Sequence, residues 1–350
     1  QLREPLDLER IGFLVSYYPY YRQFVRETPD IESGNYFLLK EWEITSKVRS
    51  STPNLEIISQ YEKKLGNPYL WTPLVSDRRV ILGRKSTYFQ DYRSRFSHTQ
   101  MLHLSEHGIS MMEQLFDNVN PHFVASFICV TYVEYLAYLI AKSRGIPFLN
   151  LRPTRIKNYV TYGESIFEPS ERIRVTYEKY MSAGIDHDYD REACDYLDFS
   201  EREHALYEGV SVTPVEPAKP ASLLFRLAYI PIPFVRSLKS LIMRWRDNVS
   251  DNHDPGIFKP FLYQRILQPL RERAINWSLR RHYVTEDELS GAGYVFFALH
   301  TEPENTLLVF GKAYLNQIEV IRNIAHNVPV SMTVIVKEHP NAVGKRPLSY

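Results

Sequence analysis

Cysteine is nearly missing from this chain of 350 residues: Cys129 and Cys194 are the only two. Neither belongs to a CxxC pattern, and no secretory signal or long uninterrupted apolar span is present. A reducing cytoplasmic setting is therefore the expectation. Cys129 sits inside an apolar, strand-like run and reads as a small buried hydrophobe rather than a ligand or nucleophile. Net charge is nearly absent too, at +1. A general nucleic-acid binder needs a large basic surface, so no nucleic-acid partner is expected. What is there is 44% hydrophobic residues over a length that can fill two sizeable cores. Two α/β lobes are the starting expectation.

Residues 11–16 have the pattern of a first strand, and residues 22–100 mix short helical and extended signals without a repeat. Residues 111–116 read as a helix leading into the apolar, β-rich run 121–130, a strand covered on both faces. Residues 133–142 have helical apolar spacing, Arg144-Gly145 stops that helix, and residues 146–151 follow as another strand. From about Pro169 to Leu289 the chain is polar and helical. Residues 171–181 and 190–208 are charged helices by pattern, 212–220 is a Pro-rich linker, and 258–281 holds one or two helices. A second strand–helix–strand unit opens at residues 294–299 and closes on Val334-Ile-Val-Lys-Glu-His-Pro340, where a β-branched run gives way to polar residues.

The expected architecture is thus α/β: an N-terminal lobe at 1–168, a helical connector at 169–290, and a second lobe beginning at 291–350. The chain starts at Gln1 without Met and stops at Tyr350, soon after the second strand of that unit. A nucleotide-binding lobe normally needs several more strands and helices, so the C-terminal lobe is expected to be truncated and the chain a fragment.

Polar residues stand at the carboxyl ends of both C-terminal strands, where open α/β sheets bind ligands. After the later strand come Lys337, His339 and Pro340. Pro fixes the backbone there, and Lys and His both donate to phosphate. No partner His or carboxylate stands at ligand spacing, so a phosphate or phosphodiester fits better than a metal. A solvated Lys337 and a His339 that merely closes a strand is the plainer alternative. After the earlier strand runs His300-Thr-Glu-Pro-Glu-Asn-Thr306. Glu302 and Glu304 suit hydrogen bonds to sugar hydroxyls or the role of a base, and equally suit a helix first turn, where acids oppose the dipole. Gln317 and Glu319 read as the solvated edge of a helix whose buried face is Ile318, Ile321 and Ala325. Arg346, in a basic turn, is either an anion contact or plain surface.

In the first lobe Tyr132 and Glu134, with Arg152 and Arg155, fall on the strand-end rim where an acceptor would bind. The two arginines suit an anionic acceptor or surface salt bridges. Residues 223–246 combine apolar bulk with Arg226, Arg236, Lys239, Arg244 and Arg246. Pro231, Pro233 and the charges rule out a simple transmembrane helix, leaving contact with an anionic membrane surface or packing on the protein.

These residues carry a resemblance. Tyr294-Val-Phe-Phe-Ala-Leu-His-Thr-Glu-Pro-Glu304, Val336-Lys-Glu-His-Pro340 and Gly344-Lys-Arg-Pro-Leu-Ser-Tyr350 resemble the capsular polysaccharide biosynthesis family, which includes bacterial Kdo transferases. Residues 135–158, with Gly145-Ile-Pro147 and Arg155-Ile-Lys-Asn158, are similar to the same group more weakly. The resemblance implies a GT-B type glycosyltransferase with two Rossmann-like lobes, a nucleotide-activated sugar as donor, a capsule or other surface-glycan acceptor, and no essential metal or other cofactor. CMP-Kdo is the family's best-known donor. The His-Pro pair, matched by His339-Pro340, is implied to contact the donor phosphate. His300, Thr301, Lys337 and Arg346 are the further donor-side candidates, and Glu302 and Glu304 the catalytic ones.

Related enzymes carry an acidic-acidic-Gly motif with a catalytic carboxylate, and this chain has no clean copy. The later donor-binding motifs would fall beyond Tyr350, so this fragment alone is expected to be inactive. A non-catalytic carbohydrate-pathway scaffold and a nucleotide-sugar epimerase are the competing expectations. A cytoplasmic enzyme, peripheral on the inner membrane face through 223–246, completes the first reading.

Overall fold

The computed structural model describes residues 12–13, 52–66, 68–77, 96–129, 131–154, 156, 159–184, 187–202, 235, 238, 242, 267–289, 293–301, 309–311, 314–339, 342–343 and 346. Among them the protein is mixed α/β with two small sheets. In chain order the elements are β1 (Gly12–Phe13), α1 (Leu55–Lys64), α2 (Trp71–Ser76), α3 (His98–Val119), β2 (Val124–Phe127), α4 (Tyr132–Ser143), β3 (Phe148–Pro153), β4 (Val160–Gly163), α5 (Glu171–Ala183), α6 (His187–Arg202), α7 (Gln268–Leu279), α8 (Glu286–Leu289), β5 (Tyr294–Ala298), α9 (Gln317–Asn327) and β6 (Thr333–Lys337). Two compact units divide the chain. One takes Gln1–Lys40, Lys63–Gly66 and Gly108–Ala221, and the other Glu41–Glu62, Asn67–His107 and Ser222–Tyr350.

The first unit is organised by the parallel strands β1, β2 and β3, with Gly12 opposite Val124 and Val124 opposite Phe148. Strand β4 returns antiparallel, Arg152 opposite Thr161. The crossover from β2 to β3 is α4, which buries ten consecutive residues from Tyr132 to Ala141. A helix apolar on every side is stable only when covered on every side. Its start is fixed by a capping box: Glu134 N donates to Thr131 Oγ1 at 3.2 Å, while Thr131 N donates to Glu134 Oε2 at 3.0 Å. Its end is fixed by Gly145, whose φ of 67° is a left-handed conformation that costs a glycine little. The Tyr138 ring sits edge-on to Phe148 at 5.2 Å and to Phe167 at 6.3 Å. Buried Glu113 on α3 accepts from both Arg144 and Lys64, so the carboxylate taken from water meets two cations.

The apolar run expected as one strand over 121–130 ends at Phe127. Ile128 and Cys129 both take positive φ, 66° and 54°, a conformation closed to a strand and costly for a β-branched residue. Cys129 is therefore buried in a turn rather than along a strand. The next strand occupies 148–153 rather than 146–151, and Ile146 N still donates to Ala141 O at 2.9 Å at the end of α4.

In the second unit β5 and β6 pair in parallel, with Phe296 opposite Ile335, and α9 makes the crossover between them. Asn316 caps α9, its side chain accepting from Glu319 N at 3.3 Å. Ile318 and Ile321 are half-buried, but Ala325 is exposed, so the buried face is shorter than its spacing suggests. Elsewhere in this unit Leu70, Leu74, Met101 and Leu104 are buried. Among the described residues no helix is long and apolar enough to cross a membrane. The linker at 212–220 lies outside the described residues, as does most of 223–246. Within the latter, Val235, Leu238 and Ile242 are helical and exposed.

Candidate functional site

The end of the β5–β6 ladder is where polar chemistry collects. Pairing continues one step past β5, since Leu299 N donates to Lys337 O at 2.9 Å. The next residue, His300, has an exposed side chain but a backbone held at both ends. Its N–H donates to Gln317 Oε1 at 2.7 Å, and its carbonyl accepts from Gln317 Nε2 at 3.1 Å. The same carbonyl also accepts from Arg346 Nη2. Arg346 Nε lies 3.0 and 2.8 Å from the two oxygens of Glu338. Glu338 Oε1 in turn accepts from His339 N at 2.8 Å, and His339 O accepts from Ala342 N at 2.8 Å. From α7, Arg271 Nη2 donates to Arg346 O at 2.8 Å. One hydrogen-bonded network thus joins the strand end at His300 to the strand end at His339.

The structure brings together His300, Lys337, His339 and Arg346 from the sequence-based set. Lys337 and His300 are exposed, and His339 and Thr301 half-buried. Arg346 differs from both sequence alternatives. Only 5% exposed, it is neither surface nor open to an outside anion on its Nε side, because Glu338 is already there. Gln317 differs as well: expected on a solvated edge, it is 2% exposed. Its amide oxygen accepts from the His300 N–H and one of its amide N–H groups donates to the His300 carbonyl. Glu319, its expected companion, is exposed. Glu302, Glu304, Pro340 and Arg155 lie outside the described residues.

Gln317 and Glu338 are what sequence reasoning missed. Glu338 stood in plain view between Lys337 and His339. The signal for Gln317 was its place directly after the capping residue of a crossover helix, where a side chain can reach the preceding strand end.

In the first unit the acceptor-side candidates are drawn into the framework. Tyr132 is buried, and Glu134 is 6% exposed with its carboxylate fully used. Ser126 Oγ donates to one oxygen at 3.0 Å, and Thr131 N and Oγ1 to the other at 3.0 and 3.1 Å. Arg152 lies within β3 and donates to Glu168 O at 2.8 Å and to Ser165 O, tying the strand to the loop before α5. Nearby, burial pushes the Tyr135 phenol up to about 12, with Cys129 and Tyr138 adding to the shift.

Neither the family models nor the curated proteins nor the solved structures contain a significant match to this chain.

Proposed function

We propose that this chain belongs to a GT-B type glycosyltransferase, with two Rossmann-like lobes at 1–168 and from 291 onward and a helical connector between. It would move a sugar from a nucleotide-activated donor, CMP-Kdo being the donor the resemblance suggests, to a capsule or other surface-polysaccharide acceptor. The single observation that carries this reading is the joining of His300 and His339 at the carboxyl ends of two parallel strands. Breaking a sugar–phosphate bond leaves negative charge on the departing phosphate. Donors fixed in advance stabilise that charge without reorganising during the reaction. Two imidazoles, on backbone held by the network, and the Lys337 ammonium would supply such donors. Glu302 or Glu304 would then bind sugar hydroxyls or take the acceptor's proton.

A cytoplasmic site, peripheral to the membrane, belongs to the same proposal. Val235, Leu238 and Ile242 are exposed at one-face helical spacing, and residues 223–246 contain five basic residues and no acidic one. That combination suits an anionic lipid surface.

The test is calorimetric titration of the intact protein with CMP and CMP-sugars. Binding is expected, with affinity at least about tenfold weaker in His339→Ala, the loss of one charge-assisted hydrogen bond. Unchanged affinity in that variant removes the assigned role. Turnover that disappears in Glu302→Gln or Glu304→Gln excludes the non-catalytic scaffold, and epimerised nucleotide-sugar formed without acceptor would favour the epimerase instead.

A further inference from the structure

We infer that Gln317, Arg346 and Glu338 are positioning residues, a hydrogen-bonded chain that sets His300 and His339 to act jointly on one phosphate group. The inference rests on the nucleotide-sugar reading of the strand ends.

A residue just past the last rung of a ladder is ordinarily held by little. His300 is held by two partners in three bonds, although its side chain is exposed. Gln317 grips the N–H and the carbonyl of this one residue together, which fixes the planes of both flanking peptides and hence the direction of the Cα–Cβ bond. No other side chain of that size matches it: Glu lacks the donor, and Met lacks both groups. Arg346 takes the same His300 carbonyl and carries the connection to Glu338, and Glu338 carries it to the His339 N–H. The guanidinium suits this task because its planar fork serves two acceptors in fixed directions, whereas an ammonium on a flexible stem does not.

The arrangement is more than closing a strand end requires. An ion pair between buried Arg346 and half-buried Glu338, a kind of contact that gains little stability over apolar packing, connects the two strand ends that each carry a histidine. Its physical effect is preorganisation of the backbone: the two loop segments that carry the histidines need not lose freedom when an anion arrives.

The experiment is a double-mutant cycle on the intact protein, read by calorimetric titration with CMP, UMP, AMP and GMP. In the wild-type background His300→Ala and His339→Ala are expected to be non-additive, because each removes half of a joint grip. In the Arg346→Lys and Gln317→Met backgrounds that coupling is expected to vanish, and nucleotide affinity to fall about tenfold or more, while circular dichroism still reports the folded protein. Gln317→Met keeps the side-chain volume while removing both bonds to His300, which covers the case of an Arg346 variant that fails to fold. Additive histidine effects in the wild type, or wild-type affinity in folded Gln317→Met, overturn the inference alone. A wild-type protein that binds none of the four nucleotides overturns the nucleotide reading and this inference with it.

Discussion

The two parallel strand–helix–strand units use the same motif to opposite ends. Helix α4 buries ten consecutive residues, whereas in α9 Gln317 is the buried residue among those described. The strands differ likewise. Val124, Ala125 and Phe148 are buried in the first unit, while Tyr294 and Phe296 in the second are 46% and 53% exposed. Each helix carries a polar, buried side chain in its first turn, but the position within the turn decides its use. Glu134 stands three residues after the cap, from where a carboxylate curls back onto the cap's own N–H. Gln317 stands one residue after the cap and reaches the end of the preceding strand instead. The first unit spends its polar groups on closing its own helix. The second uses them to hold a strand end that leaves His300 exposed and His339 half-buried.

The sharpest way to break this contrast is through the cores. Leu136 and Ile140 are fully buried, so Leu136→Ala or Ile140→Ala should cost about 2–5 kcal/mol by urea denaturation. Ile324→Ala, at a half-buried site on α9, should cost about 1 kcal/mol, in proportion to the smaller apolar area it removes. Equal losses would dissolve the distinction. Next in size is the cap. Thr131→Ala should lower stability by about 0.5–2 kcal/mol and leave nucleotide affinity alone, whereas Gln317→Met should lower nucleotide affinity.

The smallest effect is confined to alkaline solution. The Tyr135 phenol is held above its unfolded value of 10, chiefly by burial, so the unfolded chain gives up this proton first. Its contribution to stability is complete below pH 10 and is lost as pH rises through about 12. Tyr135→Phe should flatten the stability–pH curve across that window and leave it unchanged at neutral pH. An unaltered alkaline slope would show that the phenol ionises equally in both states.

Much of this was legible in the sequence where the signal is local. The β-branched run before Lys337 is a strand, the apolar spacing after Thr131 is a helix, and Arg144-Gly145 ends it. The failures share a cause: they depend on partners distant in sequence or on the backbone itself. Periodicity assigns Gln317 to a face but cannot show that its amide meets a peptide 17 residues earlier. Charge pattern marks Arg346 as basic but cannot show that it reaches a carbonyl 46 residues away. Apolar character continues through Ile128 and Cys129, yet the strand stops because their φ angles turn the chain. Strand β4, mostly exposed and paired antiparallel at the edge of its sheet, had no apolar run to announce it.

The most direct measurement is the equilibrium affinity of the intact protein for CMP, compared among wild type, His300→Ala, His339→Ala and Thr131→Ala. If the two strand ends of the second unit grip one phosphate, either histidine variant should bind at least about tenfold more weakly, and the capping variant should bind as wild type does. Wild-type affinity in both histidine variants would contradict the account.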